Sequence, residues 1–143
     1  MTTLDITRGI DIEAPVAKVW AAITEPELIA QWFGDSAEFD ARPGGAGLFG
    51  WSARSIGPFR VLVEPVDEPK TLVYRWAREA GVAPAPGRST LVRFDLAEIA
   101  GGTRPTVLET GSEELDDPRA AHEANSAGWG AELAELVELV ESR

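Results

Sequence analysis

The spacing of apolar residues changes period twice along this chain. Leu4, Ile6, Ile10 and Ile12 fall on one face of an alternating segment, with Arg8 among them. That is the pattern of a strand half buried on one side. From Pro15 the spacing lengthens: Val16, Val19, Trp20 and Ile23 sit at i, i+3, i+4 and i+7, which predicts an amphipathic helix. Thr24 is placed to cap a second short helix with Pro26 near its first turn. Leu28, Ile29, Trp32 and Phe33 supply its apolar side, and Gly34 ends it.

Beyond Gly34 the period returns to two. SAEFDA, GLFGWSA, PFRVLVEPV, TLVYRW, STLVRFDLAEI and TVLETG are separated by segments rich in Gly, Pro and Asp, as in an antiparallel meander. Phe59, Val61 and Val63, then Leu72, Tyr74 and Trp76, then Val92, Phe94 and Leu96 form the inward sets. Arg60, Glu64, Arg75, Arg93 and Asp95 alternate with them toward solvent. Both residue sets of the Trp51 strand contain apolar residues, so its facing stays open. The stretch from Ala80 to Arg88 reads as a loop. The last element is the longest. Asp117 caps it, Pro118 opens it, and Leu133, Leu136, Val137 and Val140 line one stripe of a helix near residues 118–141.

Gly45, Gly47 and Gly50 spell G-x-G-x-x-G. A dinucleotide turn needs a helix directly after it, whose N-terminus meets the pyrophosphate. Here WSARSIGP follows, and Gly57 and Pro58 end it. The glycines therefore predict a tight turn and a bent, closely packed strand rather than a nucleotide site.

Composition narrows the function classes. With 143 residues the chain fits one domain spanning 1–143. A formal net charge of −11 with only thirteen basic residues argues against nucleic acid and anionic membrane surfaces. No apolar run reaches membrane-spanning length, and the N-terminus lacks a signal pattern. The absence of cysteine fits a cytoplasmic protein. One histidine, His122, excludes a multi-histidine metal site, and no metal or cofactor is expected. His122 reads as a solvated histidine near Asp116 and Asp117.

The segments EAPVAKVWAAITEPELIAQWF, DARPGGAG, GPFRVLVEPVDEPKTLVYRW, AGGTRPTVLETG and SAGWGAELAELVE occur in this order over nearly the whole chain. Together they resemble the Hsp90-ATPase-activator-homologue family of the START-like (SRPBCC, birch-pollen-allergen-like) superfamily. The resemblance implies an α+β helix-grip fold. In that fold a curved seven-stranded antiparallel sheet carries two short helices after its first strand, and a long C-terminal helix lies across it. It also implies a cavity between sheet and helix, which superfamily members use for lipids, sterols, polyketides and hormones. Some members cyclise or hydrate their ligands.

Candidate cavity residues follow from the inward faces: Arg8, Trp51, Phe59, Tyr74, Trp76, Phe94, Glu109, Asn125 and Trp129. Trp129 lies between Gly128 and Gly130. Each glycine costs a helix interior about 1 kcal/mol, so close approach to the sheet or room beside the indole must compensate. In the implied fold the first and last strands are antiparallel neighbours. If Ile10 faces Val107, then Arg8 faces Glu109 and the two charges pair. Alternatively, Gly9 marks a bulge that turns Arg8 to water.

Three functions remain open. The first is binding of an apolar small molecule. The second is an enzyme of cyclase or dehydratase type in the same cavity, with Glu109 as the candidate acid or base. The third is a partner-binding protein related to chaperone function, which would use the acidic helix face. A homodimer is compatible with each.

Overall fold

The computed structural model describes residues 5–85, 88–111 and 118–142. Its element order is β1 (Ile6–Gly9), α1 (Val16–Thr24), α2 (Pro26–Trp32), β2 (Ser36–Phe39), β3 (Ala46–Trp51), a 3-10 turn (Ser52–Arg54), β4 (Ile56–Asp67), β5 (Thr71–Ala77), β6 (Ser89–Ile99), β7 (Gly102–Thr110) and α3 (Pro118–Glu141). The strands form one seven-stranded antiparallel sheet in the order β1-β7-β6-β5-β4-β3-β2. The helix-grip fold expected from the sequence is the fold observed.

The first helix runs through VAKVWAAIT, which contains no glycine or proline. It stops because Glu25 is extended ahead of Pro26, as the proline ring requires of its neighbour. Pro26 then opens α2 at its first helical position. Thr24 does not cap α2. Glu25 occupies the cap position, and the Thr24 hydroxyl donates back to the Trp20 carbonyl at 2.7 Å. That bond satisfies the threonine within its own helix.

The inward faces are as the alternation predicts. Val61, Val63, Leu72, Tyr74, Trp76, Val92, Phe94, Leu96 and Val107 are buried, and Phe59 packs against them half-buried. From α3, Leu133, Leu136 and Val140 enter the same core, with Val137 at its edge. Asp117 lies outside the described residues, as do Asp116 and part of the loop before Arg88. His122 is half-buried on the first turns of α3.

The glycine-rich stretch forms the β2–β3 hairpin, and β3 runs on through a single 3-10 turn into β4. A Cβ on Gly45 would lie 2.1 Å from the Asp40 carbonyl oxygen, and one on Gly47 would lie 2.7 Å from that of Glu38. Only glycine permits that approach. A bulge between Phe49 and Trp51 shifts the β3–β4 register. Trp51, whose facing alternation leaves open, lies at this bulge and is half-buried.

Candidate functional site

The first strand runs two residues out of the register assumed above. Ile6, not Arg8, is opposite Glu109, and Arg8 is opposite Val107. No ion pair joins Arg8 to Glu109. The Arg8 guanidinium instead donates to the hydroxyl of Ser126 on α3 and to the Thr7 carbonyl, the latter at 3.1 Å. Arg8 thus ties β1 to the helix and avoids burial as an unpaired charge.

Glu109 is fully buried at the centre of a different network. One carboxylate oxygen accepts from the Trp129 indole at 2.8 Å. The other accepts from Asn125 Nδ2 at 3.0 Å and from the Thr90 hydroxyl. The Asn125 carbonyl oxygen in turn accepts from Arg78 Nη2 at 2.8 Å. Burial pulls the Arg78 guanidinium below its ordinary value, and the charge of Glu109 opposes that pull. Burial, reinforced by the same charge, raises the Tyr74 phenol well above its own. Arg78 is therefore the cation that senses Glu109. Its position could have been found by carrying the inward set Leu72, Tyr74, Trp76 one step further.

Beside this network lies a cavity of about 340 Å³ between α3 and the sheet. Of the nine candidate residues, Trp51, Phe59, Trp76, Asn125 and Trp129 line it. Arg8, Tyr74, Phe94 and Glu109 lie outside its wall. Tyr74 and Phe94 pack against one another at 6.3 Å between ring centres, within the core.

The wall also includes residues that the sequence reading did not select, notably Phe33, Arg54, Arg78, Gly128 and Glu132. Phe33 ends α2 and is an aromatic hub, 5.2–5.3 Å from the ring centres of Trp51, Trp76 and Trp129. Arg78 stacks on Trp76 at 4.4 Å. Glu132 stands one turn beyond Trp129 and so shares its face. Burial, then the neighbouring charge of Glu135, raises the Glu132 carboxyl above its ordinary value. The Gly34 backbone, the Trp51 indole and the charge of Arg54 lie on the other side of the balance and oppose the rise.

Gly128 and Gly130 answer the helix question. Nothing lies within 4 Å of where a Cβ would stand on either. Close approach to the sheet is therefore not their role. Gly128 leaves space on the cavity wall, and Gly130 is exposed. Among the described residues, no cluster of potential ligands could hold a metal ion, and no helix is long and apolar enough to cross a membrane.

A curved antiparallel sheet gripping a long C-terminal helix, with an aromatic cavity between them, defines a START-like helix-grip protein. The chain belongs to the family described as Activator of Hsp90 ATPase homolog 1-like protein, whose pattern it matches over residues 13–141. Protein MLL2253 from Mesorhizobium loti is similar at 25% identity and TM-score 0.82, over 96% of this chain and 97% of that one. DynU16, a protein of the dynemicin biosynthetic locus, is similar at 25% identity and TM-score 0.80. That match covers 98% of this chain but 48% of DynU16, so the chain spans about half of its length. The Aha1 dimer from Colwellia psychrerythraea shares the fold at 20% identity and TM-score 0.78, over 99% of this chain and 97% of that one. No curated protein matches the chain.

Proposed function

We propose that this protein binds an apolar small molecule in the cavity between α3 and the sheet. The observation that carries this reading is Gly128. A glycine inside a helix is destabilising, yet this one lines the cavity, and a side chain there would project into open space. The cavity volume falls within the range of about 300–1,000 Å³ usual for ligand sites. Five aromatic residues, Phe33, Trp51, Phe59, Trp76 and Trp129, line it, with Arg54, Arg78, Asn125 and Glu132 as its polar groups, a mixture that ligand sites use. DynU16, similar over nearly all of this chain, belongs to a biosynthetic locus, which is a small-molecule setting.

Binding is favoured over catalysis by the state of Glu109. It does not line the cavity, and three donors hold it in the core. A general base must come within hydrogen-bond reach of its substrate.

Fluorescence titration with anilinonaphthalene sulfonate tests the reading. The wild-type protein should bind it saturably. Gly128→Leu, which sets a bulky side chain on the cavity wall, should weaken binding markedly, while Gly130→Ala should not. Equal binding by Gly128→Leu would defeat the proposal.

A further inference from the structure

Among the described residues, three buried side-chain polar atoms lack a hydrogen-bond partner: Trp76 Nε1, Arg78 Nη1 and Glu132 Oε2. All three residues line this one cavity. Buried polar groups in folded proteins are nearly always paired, so each exception needs an explanation. Three exceptions on a single wall share one explanation if a ligand answers them together.

The three atoms form two anchors of different chemistry. Trp76 and Arg78 stack on each other and offer an indole N–H and a cationic N–H. That pair selects an acceptor, best an anionic one. Glu132 offers a carboxyl oxygen, which selects a hydroxyl donor. Arg78 is held by Asn125, and Glu132 follows Asn125 by two helical turns, roughly 10 Å along the axis. The two anchors therefore sit at different levels along α3, a spacing that favours an elongated ligand of about two rings over a single small one. Between them the rings of Trp51 and Trp76 lie nearly parallel, at 26° and 6.2 Å between centres. Such a wall suits a flat aromatic body better than a flexible chain.

We propose that the cavity takes a flat bicyclic aromatic acid or phenolate. Its anionic end rests on Arg78 and the Trp76 indole, and a hydroxyl at the opposite end donates to Glu132. This assignment rests on reading the cavity as a ligand site and names the class of ligand. It also explains why a chain of net charge −11 keeps a half-buried arginine on that cavity wall: the attraction for an anion is local.

Calorimetric titration of the full chain with naphthalene, 2-naphthoate, 6-hydroxy-2-naphthoate and decanoate tests it. The hydroxynaphthoate should bind at least about tenfold more tightly than naphthalene or decanoate, the effect of one charge-assisted hydrogen bond. Arg78→Met should remove most of that advantage. Trp76→Phe, which keeps an aromatic ring but deletes the N–H, should reduce the advantage without loss of the fold. Glu132→Leu should erase the gain of hydroxynaphthoate over naphthoate. If naphthalene binds but the carboxylate adds nothing, or Trp76→Phe leaves its advantage intact, the ligand class is wrong and the cavity remains a ligand site. Decanoate binding as tightly as the hydroxynaphthoate would likewise overturn the aromatic assignment. If no probe binds the wild-type protein, both readings fall.

Discussion

The indole N–H of Trp129 donates to Glu109 at 2.8 Å, joining the long helix to the last strand through the core. Asn125 and Thr90 donate to the other oxygen of the same carboxylate. Glu109→Gln should therefore destabilise the fold despite its similar shape. Wherever the new amide NH₂ points, it meets an existing donor. Asn125 cannot turn to accept from it without breaking its bond to Arg78. One stranded buried donor costs about 1–3 kcal/mol. Urea unfolding of the two proteins measures this, and an unchanged midpoint would contradict the network.

Arg8 and Glu109 should behave as independent residues. In a double-mutant cycle, Arg8→Ala and Glu109→Gln should add within about 0.5 kcal/mol. Arg8→Ala and Ser126→Ala, which remove two ends of one bond, should not add. Coupling of Arg8 to Glu109 would mean that β1 and β7 pair in the other register.

Acidity should act through Glu132. Its carboxyl is raised above 4.5 by burial and by Glu135, against the opposing influence of Gly34, Trp51 and Arg54. The folded state therefore binds this proton more tightly than the unfolded chain does. Its contribution to stability is fully present below the unfolded value and is lost as pH rises through the raised folded value. Glu132→Gln keeps the size and polarity of the side chain but takes up no proton. Relative to wild type, its urea midpoint should rise as pH climbs above the ordinary carboxylate range. A difference that stays flat or falls would show that Glu132 is not raised.

The two helix glycines should separate stability from binding. Gly128→Ala and Gly130→Ala each meet open space, so each should stabilise the helix by up to about 1 kcal/mol. Only Gly128→Ala should weaken binding of anilinonaphthalene sulfonate. Destabilisation by either alanine, read by thermal unfolding, would indicate contacts that these positions do not have.

The order of elements and the inward faces were legible along the chain because they depend on local periods. A residue two places on in a strand, or three to four on in a helix, must share its neighbour's face. That logic located Trp76, Trp129 and the Leu133–Val140 stripe, and it placed Glu109 inward. Tertiary structure decided what those residues meet. The β1–β7 register turns on a two-residue slip that leaves every side chain on the same face, so alternation could not separate Arg8 opposite Glu109 from Arg8 opposite Val107. The cavity wall draws Phe33, Arg78 and Glu132 from three elements far apart in sequence. Whether a polar atom among them finds a partner depends on distances that no local pattern encodes.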